Sequence, residues 1–238
     1  MTDVATLWSY LATTPLIWLT TTILAYLVAD GMARHLGNPP WANPVLVSVL
    51  LIAPVLWLTR TTYATYFEGA QFIHFLLGPA TVALALPLWD HRDTIRTSVA
   101  PIALALLAGS IVAAGSAILL ARAFGLPMEV LLSLAPKSTT APVALGISEA
   151  IGGIPALTAV LVILTGIIGA VTVTPLMNVL RITDWRARGF AVGVAAHGIG
   201  TARAFQVNPV AGAYAGIAMA LNALLTSLIV PLLVRWLV

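Results

Sequence analysis

Six long stretches of this 238-residue chain contain no Asp, Glu, Lys or Arg: Val4–Ala29, His35–Thr59, Gly69–Trp89, Thr97–Ala121, Ala150–Leu180 and Ala204–Val234. Each exceeds the ~20 residues that cross a bilayer as a helix. Two further apolar stretches carry ionisable groups well inside them: Lys137 in Pro127–Ala150, and His197 and Arg203 in Gly189–Phe205. A charge at the centre of a membrane helix costs roughly 2.5–3.5 kcal/mol on insertion scales, so it is rarely idle. Both lie at Pro- or Gly-rich breaks, Pro136-Lys137-Ser138-Thr139-Thr140-Ala141-Pro142 and His197-Gly198-Ile199-Gly200-Thr201. The pattern predicts a polytopic membrane protein with a polar site between broken helices, as in a transporter or channel.

Composition excludes the soluble classes. Hydrophobic residues make up 60% of the chain and charged residues 8%, against about a quarter charged in soluble domains. The isoelectric point near 9.7 reflects a formal charge of only +3. The basic residues sit singly at segment edges, as topogenic flanks do, so no nucleic-acid partner is expected. Without cysteine, disulfides and thiolate chemistry are absent. Met1-Thr2-Asp3 lacks a basic signal-peptide region, so insertion is expected to begin with the first membrane helix. Trp8, Trp41, Trp89, Trp185 and Trp236 lie near segment ends, where an interfacial aromatic belt forms.

The expected fold is an all-α integral membrane protein of six to eight hydrophobic helical elements. They are drawn at 11–35, 44–59, 68–89, 97–121, 127–150, 154–180, 187–205 and 210–236. Short internal matches suggest one transmembrane domain over 1–238 made of two similar halves, approximately 11–122 and 127–238. Pro40–Val47 resembles Pro155–Val162, and Ile102–Leu106 resembles Ile217–Leu221, at one offset of 115. Gly78-Pro79-Ala80-Thr81 matches Gly198-Ile199-Gly200-Thr201 at an offset of 120. Inverted repeats with interrupted helices are the sequence pointer to a transport site at the bilayer midplane. Elements 3, 5 and 7 are expected to be interrupted there. A re-entrant 127–150 would also let the arginines of several loops share one face, as the positive-inside rule asks.

Three groups of residues are candidates for chemistry. At the first break, Ser138, Thr139 and Thr140 suit helix capping, so free amides, hydroxyls and the Lys137 ammonium would together form an anion site. The competing reading has Lys137 snorkelling to the interface and the hydroxyls bonding back to their own helix. At the second break, Gly198 and Gly200 allow close backbone approach and Thr201 could cap the following helix. Arg203 offers a fork matched to carboxylate, and His197 could carry a coupling proton. Equally, His197 reads as a structural donor and Arg203 as near enough to an end to reach water. Glu149 is either a proton carrier or an interfacial charge. Thr81, in the first Gly-broken element, adds only a neutral hydroxyl. No metal-ligand spacing, nucleophile elbow or phosphate loop occurs, so neither an enzyme, a metal nor a cofactor is expected.

Leu134–Ala144, Ile147-Ser148-Glu149, Ile151–Ala159, Ala196–Ala204 and Leu77–Leu84 together resemble the LrgB/CidB family. The likeness runs from about Leu11 onward, with Ala196 standing where the family usually carries Ser. The resemblance implies one of two functions. Bacterial members are named holin-like or antiholin-like modulators of murein hydrolase activity and lysis, acting with a small LrgA/CidA-like membrane protein. Plant members are similar to a plastid glycolate/glycerate translocator, and some bacterial relatives are linked to pyruvate uptake. The expected function is therefore transport of a small 2-hydroxy or 2-oxo monocarboxylate (pyruvate, glycolate, glycerate or lactate), with proton coupling through Glu149 or His197. The substrate would be held by Lys137, Ser138, Thr139, Thr140, Thr81, His197, Gly198, Gly200, Thr201 and Arg203. The alternative is a lysis regulator without a substrate. Either would reside in a bacterial cell membrane, and the many small-residue faces suit a homo-oligomer.

Overall fold

The computed structural model describes residues 15–76, 79, 82–83, 85–90, 92–97 and 99–237. Every described element is helical, in two units divided near residue 80. In the N-terminal unit, α1 (Pro15–His35), α2 (Pro44–Leu58) and α3 (Tyr63–Phe75) pack around α1. Trp18 is fully buried, edge-on to Tyr66 at 6.1 Å, and the Tyr66 hydroxyl meets Thr22 Oγ1 at 3.0 Å. The charge-free stretch from His35 to Thr59 yields only the 15-residue α2, shorter than a full crossing. Gly37 and Asn38, at φ 77° and 55°, turn the chain out of α1. Asn43 then caps α2, its Oδ1 accepting from Val45 and Leu46 amides at 3.0 and 3.2 Å.

The C-terminal unit contains the short helices α4 (Ala85–Asp90) and α5 (Arg92–Thr97), then α6 (Val99–Ala123), α7 (Met128–Leu134), α8 (Ala141–Ile151), α9 (Pro155–Val179), α10 (Trp185–Val207) and α11 (Pro209–Leu237). Among the described residues, α1, α6, α9 and α11 are long and apolar enough to cross a membrane. Their outward Leu, Ile and Val side chains, Leu120, Leu228 and Leu232 among them, are exposed as a lipid-facing surface requires. Trp89 and Trp236 are also largely exposed, as expected of an interfacial belt, whereas Trp8 lies outside the described residues.

The segment 127–151 is a re-entrant hairpin. The Thr158 hydroxyl stands 3.1 Å from the Ser133 carbonyl at the end of α7 and 2.7 Å from Ser148 Oγ near the end of α8. Those two groups therefore lie within about 6 Å of each other. Had α8 continued away from the break, its seven residues to Ser148 would have carried it a further ~10 Å. Instead the chain doubles back at Ala135–Thr140. Its base is clipped again where the Ile154 amide donates to Ser133 Oγ at 2.8 Å, and Gly152, at φ 86°, ends α8 in the left-handed conformation.

The second broken element is also a hairpin, although α10 reads as one helix. At Ala196 (φ −130°, ψ 17°) and His197 (φ 41°, ψ −136°) the backbone leaves helical geometry. A Cβ on Gly200 would lie 3.2 Å from the Val192 carbonyl oxygen, which an unbroken helix could not bring near it. Before the break, Gly189 and Gly193 press against the Ala211 and Ala215 carbonyls, so that arm runs parallel to α11. After it, Thr201 touches Met219 and Gly212 faces the Phe205 ring, so the second arm runs antiparallel.

The two hairpins enter from opposite faces. Arg122, at the end of α6, donates to the Leu237 carbonyl at the end of α11, and Ser110 bonds Asn222, so α6 and α11 run parallel. The base of the first hairpin shares their C-terminal face, and the base of the second shares the face of their N-termini. Arg92, Arg96, Arg181, Arg186 and Arg188 collect on that second face, which the positive-inside rule assigns to the cytoplasm. Hairpin and crossing helix thus occur twice, as 127–179 and 185–237, in opposite senses. The predicted break of element 3, near Gly78–Thr81, falls outside the described residues apart from Pro79.

Removing the Thr158 hydroxyl leaves the Ser133 carbonyl and Ser148 without a shared partner in a site of zero exposure. Thr158→Val is therefore expected to destabilise the protein by about 1–3 kcal/mol, read as a lower unfolding midpoint in detergent.

Candidate functional site

The hairpin tips meet near the middle of the long helices, and Asn222 of α11 lies between them. Its Nδ2 donates to the Ser138 carbonyl on the first tip at 3.3 Å and to the Val194 carbonyl on the second at 3.2 Å. Its Oδ1 accepts from Ser110 Oγ on α6 at 2.6 Å and from Thr226 Oγ1 at 3.1 Å. All four hydrogen-bonding positions of the amide are thereby used inside an apolar bundle. The same rule that singled out Lys137, a polar group in a membrane stretch, would have found Asn222 in Ala204–Val234.

Beside the tips lies a cavity of about 1120 Å³ between α6, the first tip, α9, the first arm of α10 and Tyr214. Most of its lining is apolar, with Ile102, Val112, Leu161, Ile168 and Phe190 among the contributors. Lys137 and Ser138 lie at the midplane end, and Arg186 and Tyr214 at the arginine-rich face. The Lys137 Nζ donates to Ser138 Oγ at 3.3 Å. No carboxylate stands within ion-pairing distance of it among the described residues.

Arg186 is differently placed, because Asp184 compensates it at 2.8 Å. Asp184 also caps α10, accepting from the Arg186 amide, and these bonds hold its carboxyl down at about 2. A group with its folded-state value lowered stabilises above the ordinary carboxylate range and loses that contribution as pH falls toward 2. The pair accordingly persists at any physiological pH. The uncompensated cation of the cavity is Lys137.

The remaining candidates divide by position. Thr139 and Thr140 share the first tip: Thr139 is buried with its Oγ1 unpartnered, and Thr140 occupies the N-cap position of α8 without a side-chain cap bond. His197, Gly198, Gly200 and Thr201 belong to the second tip. The His197 ring packs against Gly166 and donates from Nε2 to the Val162 carbonyl at 2.9 Å, fastening that tip to α9. Thr201 Oγ1 donates to the His197 carbonyl at 2.8 Å, a bond within its own element. These contacts hold a histidine in a backbone conformation that costs about 1–3 kcal/mol. Arg203 lies down the second arm, in a small pocket with Trp185, Arg188 and Met177, and is 6% exposed. Glu149 is exposed near the base of the first hairpin. Neither lines the Lys137 cavity, and Thr81 lies outside the described residues. Thr165, Arg186 and Tyr214, which the motif reading did not select, line it.

Two opposed re-entrant hairpins whose tips share one buried amide, beside a cavity lined by Lys137, define a multi-pass membrane protein. The chain belongs to the LrgB-like family, whose sequence profile matches residues 22–236. It is 35% identical to the uncharacterised protein YwbG of Bacillus subtilis, over 90% of this chain and 95% of that one. It is 36% identical to YxaC of the same organism, over 91% and 93%. It is 32% identical to the holin-like protein CidB of Staphylococcus aureus, over 92% and 95%. No solved structure matches the chain.

At Gly166 a Cβ would stand 2.6 Å from His197 Cε1, where neither ring nor helix can yield. Gly166→Val is expected to displace the ring from the Val162 carbonyl and destabilise the protein by about 1–3 kcal/mol, again read from thermal unfolding.

Proposed function

We propose that this protein moves a small 2-hydroxy or 2-oxo monocarboxylate across the membrane, by alternating exposure of the Lys137 cavity and with proton coupling. The observation that carries the reading is an ammonium group with no carboxylate partner among the described residues, at the midplane end of a mostly apolar cavity. An unpaired carboxylate in such surroundings is costly, and a cation there offsets that cost. The Ser138 hydroxyl beside it supplies a further donor for a small anion. Arg186, neutralised by Asp184, adds little net charge, so the site suits one carboxylate rather than two. Opposed hairpins provide two gates, one toward each face, as alternating access requires.

A second reading rests on the relatives. The Staphylococcus proteins are named holin-like, and that name speaks for assembly and lysis rather than for any carboxylate. In this reading the chain self-associates, works with a small LrgA/CidA-like membrane protein and modulates murein hydrolase activity and lysis, with no substrate. Small residues on its helices suit such packing. Lys137 has no evident use in it.

Uptake of labelled pyruvate, glycolate and lactate by proteoliposomes, with and without a pH gradient, separates the two. Saturable flux that rises with an inward proton gradient is expected. Absence of substrate-dependent flux, alone or with an LrgA-like partner, would leave the regulator reading standing. Lys137→Met should lower uptake by about a hundredfold or more, because it leaves the bound carboxylate without its counter-charge. Lys137→Arg should restore little, since a planar fork replaces a point charge. Normal kinetics in Lys137→Met would remove Lys137 from the site.

A further inference from the structure

The geometry points to Asn222 as a positioning residue that sets both hairpin tips, and with them the Lys137 ammonium, through one amide. This deepens the transport reading and rests on it only where uptake is measured. The hairpins are anchored to α9 in different ways. Thr158 clips the base of the first, whereas His197 clips the tip of the second. Among the described residues the first tip has no equivalent hydrogen-bond clasp to α9, and its Thr139 hydroxyl is buried without a partner. What holds that tip at its end is the bond from Asn222 Nδ2 to the Ser138 carbonyl, one residue from Lys137.

The amide separates into two functional halves. Its NH₂ group faces the Ser138 and Val194 carbonyls, which can only accept, so this orientation of the side chain is fixed by chemistry. Its oxygen ties α11 to α6 through Ser110 and back to Thr226. The two donors leave one nitrogen in one plane, so a shift of either carbonyl strains the bond to the other. A tip that moves on binding an anion at Lys137 would thereby bias the opposite tip. Asn222 is 2% exposed and does not line the cavity, so it acts through the tips rather than on substrate.

The absence of native cysteine permits a direct test. Single cysteines at Leu134 and at Ala195, one on each hairpin and both lining the cavity, are labelled from the arginine-rich face with a membrane-impermeant maleimide. Asn222→Leu should speed labelling at both positions by about fivefold or more, because it frees both carbonyls at nearly unchanged volume. Ser110→Ala, which keeps both donated bonds, should leave both rates within about twofold. An unchanged rate at either position in folded Asn222→Leu overturns the proposal. Should that variant fail to insert, Asn222→Ser serves instead. It keeps a donor that reaches at most one carbonyl, and must speed labelling on at least one hairpin. In pyruvate uptake, Asn222→Leu should raise the half-saturating concentration more than it lowers the maximal rate, with part of the loss recovered by Asn222→Gln. If the native protein takes up no carboxylate the transport reading fails, while the labelling rates still decide the role of Asn222.

Discussion

Backbone that stops being helical inside a bilayer must find its hydrogen bonds within the protein, and that constraint organises the C-terminal unit. Its two hairpins interrupt the helical ladder at Ala135–Thr140 and at Ala196–His197, near the middle of the long helices. At the breaks, Asn222 of α11 donates to the Ser138 carbonyl and Thr201 to the His197 carbonyl, while Ser133, Ser148 and Thr158 close the base of the first hairpin and the His197 ring fastens the second to α9.

Glycine makes the second hairpin possible. Gly189 and Gly193 let its first arm press against α11 carbonyls, while Gly166 leaves room for the His197 ring against α9. A hairpin crowded between two crossing helices has little freedom to drift, so its tip can be placed accurately. The first hairpin is seated differently, in a cluster of Ile118, Leu131, Leu132, Ile147 and Val230. One tip is thus pinned to α9, while the other is held by an amide from α11. This inequality matters for any mechanism in which the tips move in turn.

Lys137 gives the cavity its chemical character. It sits where an apolar wall meets a hairpin tip, with a serine hydroxyl and, among the described residues, no acidic partner. Arg186, at the other end of the cavity, spends its charge on Asp184. Two cations in one cavity therefore play unequal parts, decided by one carboxylate at a helix N-cap.

The sequence by itself determined the membrane class, the helical fold and the location of both breaks, because charge-free length and Pro or Gly interruptions are local properties. It also marked Lys137 and the Ser138–Thr140 cluster. That 127–150 re-enters was a topological inference from loop arginines, and Thr158 turned it into a geometric one. Only the tertiary structure decided that the element holding His197 also doubles back, since a reversal at Ala196–His197 is visible only through contacts such as Val192 with Gly200. Likewise it placed Arg203 and Glu149 away from Lys137, near the bases of the hairpins, although all three were candidates for one site. Asn222 was legible as a polar residue in an apolar helix. That its one amide spans both tips depends on three elements converging in space, which no spacing along the chain encodes.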